Sequence, residues 1–426
     1  MIKKNIENLD LTVYSEKLDN GLEIYVVPME NVNNIYTTFS TKFGSTTDTF
    51  IPLGEKEMVT VPLGVAHFLE HKLFEQEDGT DPFTFFNERG ADANANTSYF
   101  KTTYLFKGPD YFDENLIYLL DYVSSPYFTD ENVAKEKGII EQEYSMYQDE
   151  PGFRLYEGIL KNLYKENAIK DSIVGTKESI NAITKEDLYR CYNTFYHPSN
   201  MFIAVTGNVD AQSTIDLIKN YYKDKKYKKE EIVVKEVIEP IEVSKDKEVI
   251  NMDVLIPKIA VGYKINTKNI NIPKFELRRY LNMLGLKFDK TSIFSEKIVE
   301  NNFVTEGVEF EIIHTEDTSS IIIYADTKKP DELIKLIKEE ILNTDITEED
   351  IERSKKITIS NLIFSSDNIN SINNNIMNNI INYNEILYDI VPRIRKLNMA
   401  DFKKLISEIS FENVTEYIIL PKNNLI

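Results

Sequence analysis

The sequence predicts an α+β protein made of two similar halves, each of about 200 residues. Three observations support this fold class. Strand-like and helix-like segments alternate through the first half, and the same order begins again after a charged segment at 221–247. Both halves also close alike, because 193–207 and 410–423 each run from a helix end through asparagine into a short apolar strand.

The first half begins with a predicted hairpin. The turn pair Asn20–Gly21 precedes a strand at 22–28, and a strand at 34–43 is predicted to pair with it. A helix predicted at 132–147 has a clear stop signal in Pro151–Gly152. Apolar spacing predicts the remaining elements: helices at 61–74, 112–125 and 184–195, and strands at 99–106 and 201–206.

The second half repeats this order. Its predicted elements are a strand at 259–265, a helix at 274–286 and strands at 308–314 and 320–326. The asparagine-rich stretch 367–384 is predicted to be a core-facing helix, because its isoleucines at 369, 372, 376 and 380 form one stripe. The charged stretch between the halves is typical of a solvated linker. We therefore expect a first domain at 1–225, a linker at 226–247 and a second domain at 248–426.

Composition excludes several classes of protein. The chain has 426 residues and a formal net charge of −21, which argues against binding to nucleic acid or to anionic membrane surfaces. No apolar run approaches the roughly 18 residues of a membrane span, and the N-terminal residues lack the apolar core of a secretory signal. A single cysteine, Cys191, cannot form an internal disulfide. We expect a cytoplasmic protein without nucleic-acid or membrane partners.

Two of the four histidines lie in one pentapeptide with the pattern H-x-x-E-H, formed by His67, Glu70 and His71. Four residues apart on a helix, the two imidazoles leave the same face one turn apart, as binding of one zinc ion requires. Glu70 is close enough to reach a water on the metal without being a ligand. Chance would give about 0.004 copies of this pattern in such a chain, so two unrelated surface histidines are a poor alternative.

A catalytic zinc site usually has a third protein ligand and one open position. The helix predicted at 132–147 offers three carboxylates, those of Glu136, Glu141 and Glu143. Glu136 and Glu143 are seven residues apart and share a helix face, whereas Glu141 points nearly opposite to Glu143. We expect one of the first two to bind the metal and the other to orient the site, with Glu141 on the solvated surface.

These residues predict peptide hydrolysis with Zn²⁺ as the cofactor. Glu70 is expected to act as general base, accepting a proton from a zinc-activated water and returning it to the leaving amine.

The sequence resembles the pitrilysin/insulinase-type zinc peptidases, or inverzincins, whose members include insulin-degrading enzyme and the mitochondrial processing peptidase. The segments that carry the resemblance cover most of the first half: GSTTDT (44–49), VAHFLEHKLF (65–74), FFNERGADANANTSYFKTTYLF (85–106), EKGIIEQEYSMYQDEP (136–151) and FYHPSNMFIAVTGNVD (195–210).

The resemblance implies a role for each matching residue. His67, His71 and Glu143 would bind zinc, with Glu136 as the supporting carboxylate. The segment Ala93-Asn94-Ala95 would be an edge strand that pairs with the main chain of a peptide substrate. The implied fold is a pair of α+β halves, each a mostly antiparallel sheet with helices on one face. Such a pair is half of a clamshell, which dimerisation completes.

One departure from the family concerns the partner subunit. Active single-chain members carry an Arg, followed seven residues later by a Tyr, that stabilise the reacting carbonyl. The corresponding region here is 295–310, with Lys297 and Val304 at those positions and no arginine between Arg279 and Arg353. The hypothesis is a hetero-oligomer, in which a homologous subunit without zinc supplies the missing pair. A homodimer is the alternative.

The predicted function is therefore a zinc endopeptidase subunit that cuts short unfolded peptides. Its substrates would be general cytosolic peptides or the leader of a modified peptide. The main alternative is a non-hydrolytic peptide-binding or assembly subunit of the same fold, and a metal-dependent hydrolase unrelated to peptides is a third.

Overall fold

A computed structural model of the chain describes residues 1–343 and 345–422, so Asn423, at the end of the second closing segment, lies outside the described residues. Residue contacts divide the chain into two compact units. The first contains 1–144, 172–236 and 361–390, and the second contains 145–171, 237–360 and the residues from 391 onward. Each unit therefore includes a segment from the opposite half of the sequence, which the predicted single boundary near 225–248 does not anticipate.

The strands form two sheets in the first unit and one in the second. Their bounds are β1 Ile2–Ile6, β2 Leu11–Lys17, β3 Glu23–Pro28, β4 Ile35–Thr41, β5 Thr49–Ile51, β6 Val59–Thr60, β7 Asp92–Thr97, β8 Thr102–Gly108, β9 Met201–Gly207, β10 Val233–Val234, β11 Lys247–Met252, β12 Lys258–Asn266, β13 Glu309–His314, β14 Thr318–Asp326 and β15 Val414–Pro421.

The helices connect these strands and pack on the sheets. Their bounds are α1 Val65–Lys72, α2 Pro82–Asn87, α3 Phe112–Val123, α4 Asp130–Asp149, α5 Pro151–Leu163, α6 Lys177–Ala182, α7 Lys185–Phe195, α8 Ala211–Tyr222, α9 Lys274–Met283, α10 Ile293–Glu300, α11 Pro330–Leu342, α12 Glu348–Ser365, α13 Ile369–Tyr383, α14 Ile390–Lys396 and α15 Met399–Glu408. No helix among the described residues is long and apolar enough to span a bilayer.

The large sheet of the first unit has the strand order β1-β2-β3-β9-β4-β8-β7. All neighbouring strands are antiparallel except β3 and β9, which are parallel. The predicted pairing of 22–28 with 34–43 is wrong, because β9 lies between β3 and β4 and pairs with both. This sheet places β7 at an edge.

The sheet of the second unit has the order β11-β15-β12-β14-β13. Its first pair, β11 and β15, is parallel and the other pairs are antiparallel. The same succession of one parallel and three antiparallel pairs runs from β3 to β7 in the first unit. This correspondence confirms the predicted fold class, an α+β protein with two similar, mostly antiparallel halves.

Helix α13 adds a second helical layer to the first unit's sheet. It comes from the second half of the chain, and its isoleucine stripe is buried as predicted. Ile372, Ile376 and Ile380 pack in one cluster with side chains of β2, β3 and β9. Asn373 is fully buried, accepts a hydrogen bond from Thr38 Oγ1 (2.8 Å) and donates one to the Ala204 carbonyl (2.8 Å). On β8, Thr103 contacts Met377 of α13, whereas the next residue, Tyr104, points to the opposite face and contacts Tyr122 of α3. Helices therefore cover both faces of this sheet, one more layer than the resemblance implies.

In the same way, α5 comes from the first half of the chain and packs on β12 and β15 of the second unit. Gly158 faces the Tyr417 ring, where any Cβ would clash. A glycine here allows the helix to approach the sheet closely.

The segment predicted to be a solvated linker is anchored at two places. Val233 and Val234 pair with β5 in the first unit, and the Glu239 side chain is only 3% exposed within the second. Lysines and glutamates elsewhere in the segment are exposed, as the prediction expects.

Candidate metal centre

Helix α1, which carries the H-x-x-E-H pattern, begins at a tightly packed glycine. Gly64 has a left-handed backbone (φ 87°), and a Cβ at this position would clash with the Val174 carbonyl oxygen. This approach fixes the start of α1 against the loop at 174–175. Every α1 residue except His71 is buried, so His67 and Glu70 occupy positions that apolar side chains would normally fill.

The two imidazoles lie one turn apart on one face of α1, as predicted. Their ring centroids are 4.6 Å apart. Helix α4 faces them and buries Asn132, Val133, Glu136 and Ile140. Because Glu143 lies one turn beyond Ile140 on the same face, its carboxylate points at α1. Its oxygens lie 3.7 Å from His67 Nε2 and 3.6 Å from His71 Nε2.

Glu136 supports this group from behind. Its Oε1 lies 3.0 Å from His71 Nδ1, and its Oε2 lies 3.8 Å from the Lys72 ammonium. An imidazole that donates its Nδ1 proton to Glu136 keeps a lone pair on Nε2, which can bind a metal on the side where Glu143 lies. Glu141 lies on the opposite side of α4 and is hydrogen bonded to Asn181.

Glu70 points from α1 toward the end of β7. It is 9% exposed, and its Oε2 accepts a hydrogen bond of 2.5 Å from Thr97 Oγ1. Thr97 lies on β7, two residues beyond Ala95, so it shares a face of the strand with Ala93 and Ala95. The general-base candidate and the candidate substrate strand are therefore in direct contact.

Burial and neighbouring charges shift the pKa values of these groups in different directions. Burial, and then the neighbouring His71, lower the pKa of His67 to about 3, so His67 is neutral near pH 7. Burial also acts to lower the pKa of His71, but the hydrogen bond that its ring donates to Glu136 and the nearby carboxylates raise this pKa above its usual value. Burial raises the pKa of Glu70, which the Thr97 hydrogen bond opposes.

The arrangement fits a zinc ion. Ligand atoms of His67, His71 and Glu143 all lie within 4.8 Å of one another. Atoms that bind one tetrahedral zinc at about 2.1 Å lie about 3.4 Å apart, close to the two His–Glu143 separations above. Three carboxylates, from Glu70, Glu136 and Glu143, surround the imidazoles, so a divalent cation would offset an excess of negative charge.

Strand β7 forms an open edge of the large sheet, because β8 is its one strand neighbour in the sheet order. Ala93, Asn94 and Ala95 form its middle, and Asn94 is exposed. The Ala95 N–H donates to the Asn94 side-chain oxygen (2.8 Å). The structure thus places the predicted segment in an edge strand.

Two residues of the centre, Lys72 and Thr97, were not predicted from the sequence. Lys72 could have been found from the sequence, because it directly follows the motif in a segment whose apolar spacing predicts a buried helix. Thr97 could have been found by alternation along β7, since it lies two and four residues from the two alanines.

Comparisons with known proteins identify the family of this chain. Residues 45–177 match the family described as Insulinase (Peptidase family M16), and residues 182–358 match a family described as Peptidase M16 inactive domain. YmfH of Bacillus subtilis (strain 168), named an uncharacterized zinc protease, is 39% identical over 425 residues, or 98% of both chains. An Arabidopsis thaliana protein with the name "Probable mitochondrial-processing peptidase subunit beta, mitochondrial" is 27% identical over 166 residues, covering 37% of this chain and 31% of that one.

A solved structure shows the same fold. The crystal structure of an M16-like protein from Alicyclobacillus acidocaldarius superposes with a TM-score of 0.90 at 29% identity, covering 98% of this chain and 100% of that one. The identity to YmfH and the two adjoining family matches lead to one conclusion: this chain belongs to peptidase family M16, the insulinase family.

Proposed function

We propose that this chain is a zinc-dependent endopeptidase subunit that hydrolyses short unfolded peptides in the cytoplasm. The observation that carries the proposal is the convergence of His67, His71 and Glu143, from two helices, with Glu70 beside them. The zinc protease names of its relatives support the same reaction class.

The roles of the residues follow from their positions. His67, His71 and Glu143 would hold zinc, and Glu136 would keep the His71 ring oriented. Bound zinc would polarise the peptide carbonyl and make a nearby water more acidic. Glu70 accepts the proton of that water and delivers it to the leaving nitrogen. Its burial favours proton uptake, because burial raises its pKa.

The substrate main chain would add to the open edge of β7. Ala93, Asn94 and Ala95 form the central part of that edge, next to Thr97 and its contact with Glu70. Main-chain pairing binds an extended peptide with little dependence on its sequence, so unfolded peptides are the expected substrates. A leader segment of a modified peptide is one such substrate.

We further propose that a homologous subunit without the zinc motif completes the site. The region 295–310 has no arginine, and Val304 is buried at 6% exposure, so these residues of the second unit do not supply the missing pair of donors. A partner with an Arg and a Tyr seven residues apart would supply them.

The test measures zinc content and cleavage of a quenched fluorescent unstructured peptide. One zinc ion per chain is expected. An equimolar mixture of this chain and such a homologue should cleave the peptide, whereas this chain alone should not. Full activity of the isolated homodimer would refute the partner requirement. Peptide binding with bound zinc but no cleavage in either sample would favour the non-hydrolytic alternative.

Thr97 should affect turnover rather than substrate affinity. Thr97→Val removes a hydrogen bond to a buried charged group, worth about 1.5–3 kcal/mol, so kcat should fall about 10- to 100-fold with little change in KM. Thr97→Ser keeps the hydroxyl and should retain most of the activity. Steady-state kinetics on the quenched peptide compare the two variants. Equal losses in both variants would contradict this role of the hydroxyl, because Thr97→Ser keeps the hydroxyl.

A further inference from the structure

Lys72 has no part in the proposed mechanism, yet it is the most deeply buried charged residue of the centre. Its side chain is 0% exposed, and its ammonium lies between two carboxylates. One is Glu75, with which it forms a close ion pair, and the other is Glu136, at 3.8 Å. A buried ammonium is costly unless it is paired, so both contacts stabilise it.

Glu136 thereby connects two neighbouring residues of α1. Its Oε1 contacts His71 Nδ1 and its Oε2 faces Lys72. The carboxylate has little freedom to rotate without losing one of these contacts. Because the Glu136 hydrogen bond sets the direction of the His71 ring, a group that fixes Glu136 also fixes His71.

The contacts of Glu136 with His71 and Lys72 also affect the position of helix α4. Glu136 and Glu143 lie on one face of α4, two turns apart. Holding Glu136 between His71 and Lys72 therefore sets the register of α4 against α1. That register places Glu143 opposite the two imidazoles, at 3.7 and 3.6 Å.

We propose that Lys72 is a positioning residue of the metal centre, which holds Glu136 and, through it, both His71 and Glu143 in ligating geometry. This inference rests on the proposed zinc site. The inference concerns the affinity of this chain for a divalent ion. A measurement of metal affinity therefore tests the inference without an assay of catalysis.

Electrostatic repulsion alone predicts the opposite change in metal affinity when the charge of Lys72 is removed. Removing a positive charge near a bound divalent cation reduces repulsion and should strengthen binding. A positioning role instead predicts weaker binding, because loss of an outer partner of a ligand typically reduces metal affinity 10- to 100-fold. The direction of the change in affinity therefore separates the two roles.

The experiment measures zinc affinity of the full chain by competition with a fluorescent chelator, and Co²⁺ binding by visible absorption. Lys72→Met should bind both metals about tenfold more weakly, with a changed cobalt spectrum. Lys135→Met is the matched control, because Lys135 is an exposed lysine of α4 whose charge acts on Glu136 without an ion pair. It should bind zinc as the wild type does or slightly more tightly.

A double variant, Lys72→Met with Glu75→Gln, keeps the net charge and also neutralises the Glu75 carboxylate, which the single variant leaves without its ion-pair partner. It serves if the single variant does not fold. It should still bind zinc more weakly than the wild type. Unfolding in the presence of EDTA checks that each variant is folded. Wild-type affinity in the folded double variant, or unchanged or tighter binding by folded Lys72→Met, would overturn the inference. Failure of the wild-type chain to bind zinc would instead refute the proposed function.

Discussion

Replacement of Glu70 by glutamine is expected to reduce kcat by about 10²- to 10⁴-fold while zinc content stays at the wild-type level. The amide has nearly the shape of the carboxylate and can still accept the Thr97 hydrogen bond, but it cannot take up a proton. Glu70 is not among the three residues whose ligand atoms converge, so the metal centre should persist. The measurement compares Glu70→Gln with the wild type for zinc content and for cleavage of the quenched peptide. Both are assayed in the assembly, chain alone or with its partner, in which the wild-type chain is active.

Glu141→Gln is the matched control for this change. It alters the same type of side chain on α4, where Glu141 contacts Asn181 and points away from the centre. Its activity should equal that of the wild type. Peptide binding should survive in Glu70→Gln, because the β7 edge does not depend on the carboxylate. Cleavage within a fewfold of the wild-type rate would rule out Glu70 as the general base.

The local part of the centre was predictable because helix geometry alone relates its residues. His67 and His71 are four positions apart, and Glu136 and Glu143 are seven positions apart. On a helix these separations fix which side chains share a face without knowledge of the rest of the fold. The need for a third zinc ligand pointed to the helix predicted at 132–147, and the family resemblance then assigned that ligand to Glu143 and the supporting role to Glu136.

Long-range pairing was not predictable in the same way. The short connection between 22–28 and 34–43 suggested a hairpin, yet β9, from about 170 residues later, inserts between the two strands. The apolar composition of 201–206 predicts that this strand is buried, but it does not predict which two strands lie beside it. The isoleucine stripe of α13 likewise predicted a core-facing helix, while its sheet lies in the opposite half of the sequence.

The charged segment between the halves shows how composition can conceal a buried contact. Most of its residues are solvated, but Glu239 accepts hydrogen bonds from the backbone N–H groups of Lys165, Glu166 and Asn167 at 2.7–2.9 Å. It also pairs with Lys264, which is fully buried on β12, at 2.5 Å. Burial would raise the pKa of Glu239, but these donors hold it below its usual value.

Glu239→Gln should therefore destabilise the second unit by about 3–5 kcal/mol, because it leaves the Lys264 ammonium buried without a counter-charge. The matched control is Glu242→Gln, three residues later in the same segment. Its carboxylate is 66% exposed and lies 3.8 Å from Lys165, so its loss should cost about 1 kcal/mol or less. Calorimetric unfolding measures both variants at neutral pH.

Hydrogen exchange localises the effect, since the N–H groups of 165–167 should lose protection in Glu239→Gln and keep it in Glu242→Gln. A second variant, Lys264→Met combined with Glu239→Gln, removes the unpaired charge. It should recover part of the lost stability, as replacement of a whole buried ion pair often does. If Glu239→Gln unfolds like Glu242→Gln, the ion pair contributes little, and the segment behaves as the solvated linker that its composition predicted.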